Sequence, residues 1–158
     1  MSSWTEPISL ETLILIPVAD AATQYIIKPH PLQNVTEGGE LHLKWTYELD
    51  SSDVFEGVSL GTYLGGVFKV TYIEVDRTGT VLNTLPSFDG RLTWRGDLSQ
   101  KKIEFVLNTV KESDAGEFTC GINRGFFKGF VPNRVTLDVY GKSISIFFQY
   151  CRSSQNRL

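Results

Sequence analysis

Short segments in which apolar and polar residues alternate, separated by turn residues, run from about residue 24 to residue 140. A period of two residues is that of a β-strand with one buried face, whereas an amphipathic helix repeats about every 3.6 residues. The segment Leu41–Tyr47 shows the pattern clearly, because two leucines, a tryptophan and a tyrosine alternate with polar residues after the turn Glu37–Gly39. This alternation predicts an all-β chain with almost no helix.

Eight or more strands are expected at this spacing, which is typical of a sandwich or a barrel. After Leu41–Tyr47, the predicted strands are Val58–Tyr63, Val67–Val75, Thr80–Asn83, Arg91–Trp94, Lys102–Leu107, Gly116–Ile122 and Asn133–Tyr140. At 158 residues the chain has the size of one domain. We therefore predict one domain over residues 24–140, with an N-terminal segment, 1–23, and a C-terminal tail, 141–158.

Neither end segment matches a secretory signal or a membrane anchor. The apolar run Leu13–Ala19 is interrupted by Pro17 and lacks a preceding basic region, so it is a poor signal peptide. The apolar run Ile144–Cys151 is far shorter than the roughly 20 residues of a membrane-spanning helix. The chain is therefore predicted to contain no membrane span.

Composition argues against several classes of function. The formal net charge of -3 does not supply the basic field that nucleic-acid binding needs. Two cysteines and two histidines cannot give the spacing of a four-ligand zinc site. Gly57–Gly61 matches the Gly-x-Ser-x-Gly nucleophile motif, but a strand follows it and both histidines precede it. We predict that the protein is not an enzyme and uses no metal or cofactor.

Three consecutive segments resemble strands D, E and F of a variable-type immunoglobulin domain: Gly90–Asp97 (GRLTWRGD), Lys101–Val110 (KKIEFVLNTV) and Glu112–Ile122 (ESDAGEFTCGI). The resemblance covers about residues 26–140. It implies an immunoglobulin-like antiparallel sandwich of two sheets, of the variable type with C′ and C″ strands. It also implies that Asp114, in the corner before strand F, pairs with Arg91 at the start of strand D.

The chain departs from that family at three of its marks. Trp45 stands where the strand B cysteine would pair with Cys120, Leu60 falls near the place of the strand C tryptophan, and Phe118 replaces the corner tyrosine. The resemblance therefore implies a buried free thiol at Cys120 that packs against the Trp45 indole. The alternative is a disulfide between Cys120 and Cys151, which requires their Cα atoms to lie within about 7 Å. In lacking the usual cysteine and tryptophan, the chain is similar to the cnidarian allorecognition receptors.

The segment between strands F and G, Asn123–Pro132 (NRGFFKGFVP), has the position of the third hypervariable loop in the family that the chain resembles. A loop at the end of a sandwich has little core in which to bury aromatic side chains, and aromatic residues beside arginine make good interface anchors. Its predicted partner-binding residues are Arg124, Phe126, Phe127, Lys128 and Phe130. The alternative is that one or two of the phenylalanines fold back onto the sheet.

A second predicted contact surface is the outer face of the sheet that strands G, F, C and C′ would form. Tyr63 and Tyr72 are assigned to this surface. The C′ strand, Val67–Val75, is apolar on both sides, which is consistent with a sheet covered by a partner. Because a nearly flat sheet can meet itself across a twofold axis, the predicted partner is a protein, with a second copy of the domain as the favoured one.

The sequence thus predicts a binding module, the recognition domain of a cell-surface adhesion or immune-type receptor or a secreted form of one. Asn34-Val35-Thr36 is a glycosylation sequon, which fits an extracellular location and predicts a glycan on Asn34. The alternative function is that of an intracellular structural immunoglobulin module of the filament type. A missing signal peptide and a missing disulfide favour that alternative.

Overall fold

The structure, a computed structural model, describes residues 22–141. The N-terminal segment before residue 22, the tail after residue 141 and Cys151 lie outside the described residues. The ten strands are β1 (Gln24–Ile27), β2 (Leu32–Thr36), β3 (Leu41–Glu48), β4 (Gly57–Leu64), β5 (Val67–Asp76), β6 (Val81–Thr84), β7 (Leu92–Trp94), β8 (Lys102–Leu107), β9 (Gly116–Asn123) and β10 (Phe130–Tyr140). Three short 3-10 helices span Pro86–Phe88, Leu98–Gln100 and Glu112–Asp114.

The strands form two sheets, ordered β1-β3-β8-β7 and β2-β10-β9-β4-β5-β6. The prediction of an all-β sandwich of two sheets is confirmed. The expectation that all strands pair antiparallel is wrong at one place, because β2 runs parallel to β10. The chain passes from the first sheet to the second at Lys28–Pro31 without reversing its direction, and the Thr136 amide donates a hydrogen bond of 2.7 Å to the Pro31 carbonyl. Two prolines in this segment favour an extended crossing.

The largest difference in strand boundaries is at β10. This strand begins at Phe130 instead of Asn133, because Phe130 pairs with Asn123 at the end of β9. The loop between β9 and β10 therefore contains only residues 124–129.

Alternating side chains of both sheets fill the space between them. The buried residues of β3 are every second one: Leu41, Leu43, Trp45 and Tyr47. From the opposite sheet, β9 contributes Phe118, Cys120 and Ile122, each at most 1% exposed. The two-residue period that predicts the strands is therefore also the period of the core.

Two polar side chains join the sheets across this core. The Trp45 indole, on β3, donates a hydrogen bond of 2.7 Å to the side-chain oxygen of Asn133, on β10. The Tyr25 hydroxyl, on β1, lies 3.0 Å from the carbonyl oxygen of Cys120 and 2.9 Å from that of Val131. Burial raises the pKa of Tyr25 well above its ordinary value. The hydroxyl is therefore neutral, and two carbonyls of the other sheet share its single proton.

Cys120 lies in this core as a free thiol. It is completely buried, and burial raises its pKa to about 12. A thiol with so high a pKa is a poor nucleophile and behaves as a small apolar side chain. The alternative partner, Cys151, lies outside the described residues.

The corner before β9 is held by Arg91 and Asp114. The Nη1 and Nη2 atoms of Arg91 donate to Oδ2 and Oδ1 of Asp114 at 2.7 Å and 3.0 Å, which is a bidentate pair. Arg91 also donates to the carbonyls of Ser87 and Thr109, and the Lys111 amide donates to Asp114. Burial by itself would raise the pKa of Asp114, but the hydrogen bonds from Arg91 and Lys111 outweigh it and lower that pKa.

Replacing Asn133 with alanine is expected to lower the free energy of unfolding by about 1 to 3 kcal/mol, because the buried Trp45 indole N–H loses its acceptor. Chemical denaturation measures the change. Asn83→Ala, at an exposed position of β6, is the control and should stay within about 0.5 kcal/mol of the wild type. Equal effects of the two substitutions would show that the intersheet hydrogen bond contributes nothing.

Asp114→Asn is expected to cost about 3 kcal/mol of unfolding free energy near neutral pH, because it breaks a buried ion pair. Since the folded-state pKa of Asp114 is lowered, its contribution is present above the unfolded pKa of about 3.9 and is lost as the pH falls through the folded value. The difference between wild type and variant should stay constant from about pH 5 to 8 and shrink below about pH 4. Exposed Asp89→Asn, followed by the same denaturation series, should show no such difference.

Candidate protein-binding surface

The loop between β9 and β10, residues 124–129, presents two phenylalanines to solvent. Phe126 is 95% exposed and Phe127 is 97% exposed, and their rings meet edge to face with centroids 5.4 Å apart. The loop is closed by backbone hydrogen bonds of 3.0 Å from Arg124 to Gly129 and from Gly129 to Gly125. Both glycines have positive φ angles, 86° at Gly125 and 64° at Gly129, which allow this tight path. The loop therefore has a defined conformation with an apolar end.

The two basic residues of the loop point away from its end. Arg124 lies 3.5 Å from one carboxylate oxygen of Asp53, and the Lys128 ammonium lies 2.5 Å from the other. The Asp53 side chain is only 2% exposed. Hydrogen bonds from Lys128, and then from Thr23, lower the pKa of Asp53, so the carboxylate is charged at neutral pH. Both charged groups are thus engaged within the chain, while partner contact by Arg124 and Lys128 stays a prediction.

Phe130 and Tyr63 belong to a second aromatic group, which packs on the outer face of the six-stranded sheet. The centroid of the Phe68 ring lies 4.9 Å from that of Phe130 and 5.1 Å from that of Tyr63. The rings cover Gly121 so closely that a Cβ atom at this position would come within 2.7 Å of the Phe68 ring. Phe130 thus folds back onto the sheet, which is the alternative that its sequence left open.

The end of the β4–β5 hairpin turns back across this outer face. Strand β4 pairs with β9 only as far as Gly61, and the β4–β5 pairing is irregular on both sides of that residue. Beyond it, Gly66 and Val67 line the same surface hollow as Phe126. We call residues 61–71 the folded hairpin.

The folded hairpin covers the surface on which the sequence predicted a flat contact with a partner. Ser59 and Thr119 point outward from β4 and β9, yet they are only 4% and 1% exposed. Tyr63 anchors the covering segment, because its amide donates a hydrogen bond of 2.8 Å to the Glu117 carboxylate. The expectation of an open, flat sheet is therefore wrong for β4 and β9.

Tyr72 is also placed differently from the prediction. Its ring packs against the buried rings of Phe88 and Phe118, with centroids 4.7 Å and 5.2 Å away. Its hydroxyl donates a hydrogen bond of 3.1 Å to the Glu117 carbonyl. The pairing of β4 with β5 skips Tyr72, and such a bulge turns a side chain to the opposite face. Tyr72 is therefore a partly buried residue that packs against the core, while its role in partner contact stays a prediction.

The exposed apolar side chains at this end of the sandwich form one surface, which we call the apolar tip: Val54, Val67, Phe126 and Phe127. An open hollow of about 610 Å³ lies between Phe126 and the folded hairpin, and Val67 and Phe130 line it. A second hollow, of about 280 Å³, lies between the phenylalanines and Val54. Val54 and Asp53 were not among the predicted site residues, because nothing in the sequence indicates that residues 49–56 contact the 124–129 loop.

Asn34, the predicted glycan site, lies in the edge strand β2. Its side chain is exposed, and its oxygen accepts a hydrogen bond of 3.2 Å from the Tyr140 hydroxyl. Among residues 22–141, no three histidine, cysteine or acidic side chains are grouped so that they could bind a metal ion. The same residues include no helix with the length and apolar character needed to cross a bilayer.

Replacing Phe68 with alanine is expected to lower the free energy of unfolding by about 1 to 2 kcal/mol, since a partly buried ring is removed from the Tyr63 and Phe130 contacts. Amides of the folded hairpin should then exchange with solvent faster than they do in the wild type, and the increase should be larger than for the amides of β3. Leu64→Ala, at a 66% exposed position of the same hairpin, is the control. Unchanged hairpin exchange in Phe68→Ala would contradict the packing described here.

Comparison with known proteins does not place the chain in a family. No family model matches it, and no curated protein matches it either.

Proposed function

We propose that residues 24–140 form a variable-type immunoglobulin-like domain that functions by binding another protein. The strand order supports this proposal, because β1-β3-β8-β7 corresponds to A-B-E-D and β2-β10-β9-β4-β5-β6 to A′-G-F-C-C′-C″ in that family. The bidentate pair of Arg91 and Asp114 at the corner before β9 supports it as well. In this role the protein is the recognition domain of a cell-surface adhesion or immune-type receptor, or a secreted form of one.

The observation that carries the proposal is the exposure of Phe126 and Phe127 on a closed loop. Two adjacent phenylalanines gain nothing for folding when they are fully in solvent, whereas buried aromatic side chains dominate the energy of many protein interfaces. A loop that already has its conformation loses little entropy on binding. The apolar tip is therefore the proposed contact surface, in place of the outer sheet face that the folded hairpin covers.

A second copy of the domain is the partner that we propose. Phe126 protrudes between two hollows, one bordered by Val67 and one by Val54. A surface that carries both a protrusion and hollows can be self-complementary, because a twofold axis places each protrusion in the hollow of the other copy. Pairing of this kind between opposing cells is adhesion.

The intracellular filament-type module is the second candidate function, and the buried free thiol favours it. Proteins that remain in a reducing compartment rarely rely on disulfides, and Cys120 forms none with another described residue. The exposed sequon at Asn34 favours the extracellular candidate instead. Mass spectrometry of native material distinguishes the two, because a glycan on Asn34 would eliminate the filament module.

Beads coated with the wild-type domain are expected to cluster, and Phe126→Ala/Phe127→Ala is expected to weaken the clustering by at least about tenfold, since both anchors are removed. Val81→Ala/Leu82→Ala is the matched control, because it removes two exposed apolar side chains from β6. Clustering that survives in the phenylalanine variant would contradict the proposed contact surface. A folded wild-type domain that never clusters would contradict pairing between two copies.

A further inference from the structure

We propose that Asp53 is a positioning residue, which holds the phenylalanine loop in its exposed conformation and pairs with the two positive charges of the loop. The partner surface that this arrangement fits is apolar and does not need acidic groups. The inference rests on the proposed function in one respect, because it describes the same loop. Its tests, however, need no partner.

Both carboxylate oxygens of Asp53 accept hydrogen bonds, although the residue lies in the connection between β3 and β4. One carboxylate oxygen accepts from Lys128 at 2.5 Å, and the other accepts from Thr23 at 2.5 Å and from Arg124 at 3.5 Å. Lys128 also donates to the carbonyl and the hydroxyl of Ser52, at 3.1 Å and 3.0 Å. Asp53, together with Ser52, therefore ties the segment of residues 49–56 to the loop.

Asp53 contacts the residues on both sides of the phenylalanine pair. Arg124 precedes Phe126 and Lys128 follows Phe127, and Nη2 of Arg124 donates a hydrogen bond of 2.7 Å to the Lys128 carbonyl. The Nε atom of Arg124 is buried and has no hydrogen-bond partner among residues 22–141. Leaving such a donor unpaired costs free energy, so the inward arginine depends on Asp53 to compensate it.

The charges around the loop do not favour an acidic partner. Residues 49–56 carry three negative charges, on Asp50, Asp53 and Glu56, and the loop carries two positive charges, on Arg124 and Lys128. The region therefore has a net charge of -1. Glu56 lines both hollows of the apolar tip. Long-range attraction of a negatively charged surface is therefore absent, and recognition depends on apolar contact.

Hydrogen exchange of the loop amides in Asp53→Asn tests the positioning role. The hydrogen-bonded amides of Arg124 and Gly129 are expected to exchange about tenfold faster or more, while β3 stays protected. Glu56→Gln is the matched control, because it removes the same charge from the same segment and should change loop exchange by less than about twofold. Lys128→Met removes the contact from the loop side and should reproduce the effect of Asp53→Asn.

Unchanged loop exchange in Asp53→Asn would overturn the positioning role. Faster exchange throughout both sheets would overturn it equally, because Asp53 would then support the whole fold. If loop exchange responds as expected but Phe126→Ala/Phe127→Ala leaves clustering intact, the proposed contact surface fails and the role of Asp53 stands.

Retention on two resins tests the character of the surface. The wild-type domain is expected to bind a phenyl-substituted resin through Phe126 and Phe127 and to pass through a carboxymethyl resin at low salt. Asp53→Asn frees two cations and should gain retention on the carboxymethyl resin, whereas Glu56→Gln, with the same net charge, should not. Salt-sensitive retention of the wild type on the carboxymethyl resin would overturn the proposed apolar recognition.

Discussion

The hydrogen bond from the Trp45 indole to Asn133 joins the two sheets across the core, close to the strand end from which the exposed loop leaves. In the variable-type immunoglobulin family, which the sequence resembles, a disulfide worth about 2 to 5 kcal/mol joins the sheets at the positions of Trp45 and Cys120. Burying an indole of about 200 Å² gives roughly 5 kcal/mol as an upper bound, so the exchange is energetically reasonable. The bond ends on β10, three residues after Phe130 begins that strand. The inner face of β10 thus anchors the base of the loop.

The same strand organises the outer surface. Phe130 points to the face opposite Asn133 and joins Phe68 and Tyr63 over Gly121, where the absence of a side chain makes room for the rings. The chain thereby covers a sheet face that would otherwise expose the central strands. The three neighbouring phenylalanines therefore have different roles. Phe130 stabilises the fold, whereas Phe126 and Phe127 remain in solvent.

Sequence reasoning succeeds where the structure follows a local period. The alternation in Leu41–Tyr47 predicts both the strand and its buried side, because successive side chains of a strand point to opposite faces of the sheet. It fails at Tyr72, because one extra residue in β5 turns this side chain to the face opposite the one that the alternation predicts. It also gives no sign of the ion pairs that Arg124 and Lys128 form, because their partner Asp53 is more than 70 residues away in the chain. No local pattern announces either the bulge or the meeting of two distant loops.

The hydrogen-bonded closure of the core has a consequence for how the protein is made. Because Tyr25 and Trp45 join the sheets and Cys120 pairs with no other described cysteine, closing the sandwich involves no electron transfer. Folding of residues 22–141 therefore does not wait for a thiol oxidase or for disulfide shuffling. A sandwich of residues 22–141 should therefore close in a reducing compartment as well as in an oxidising one.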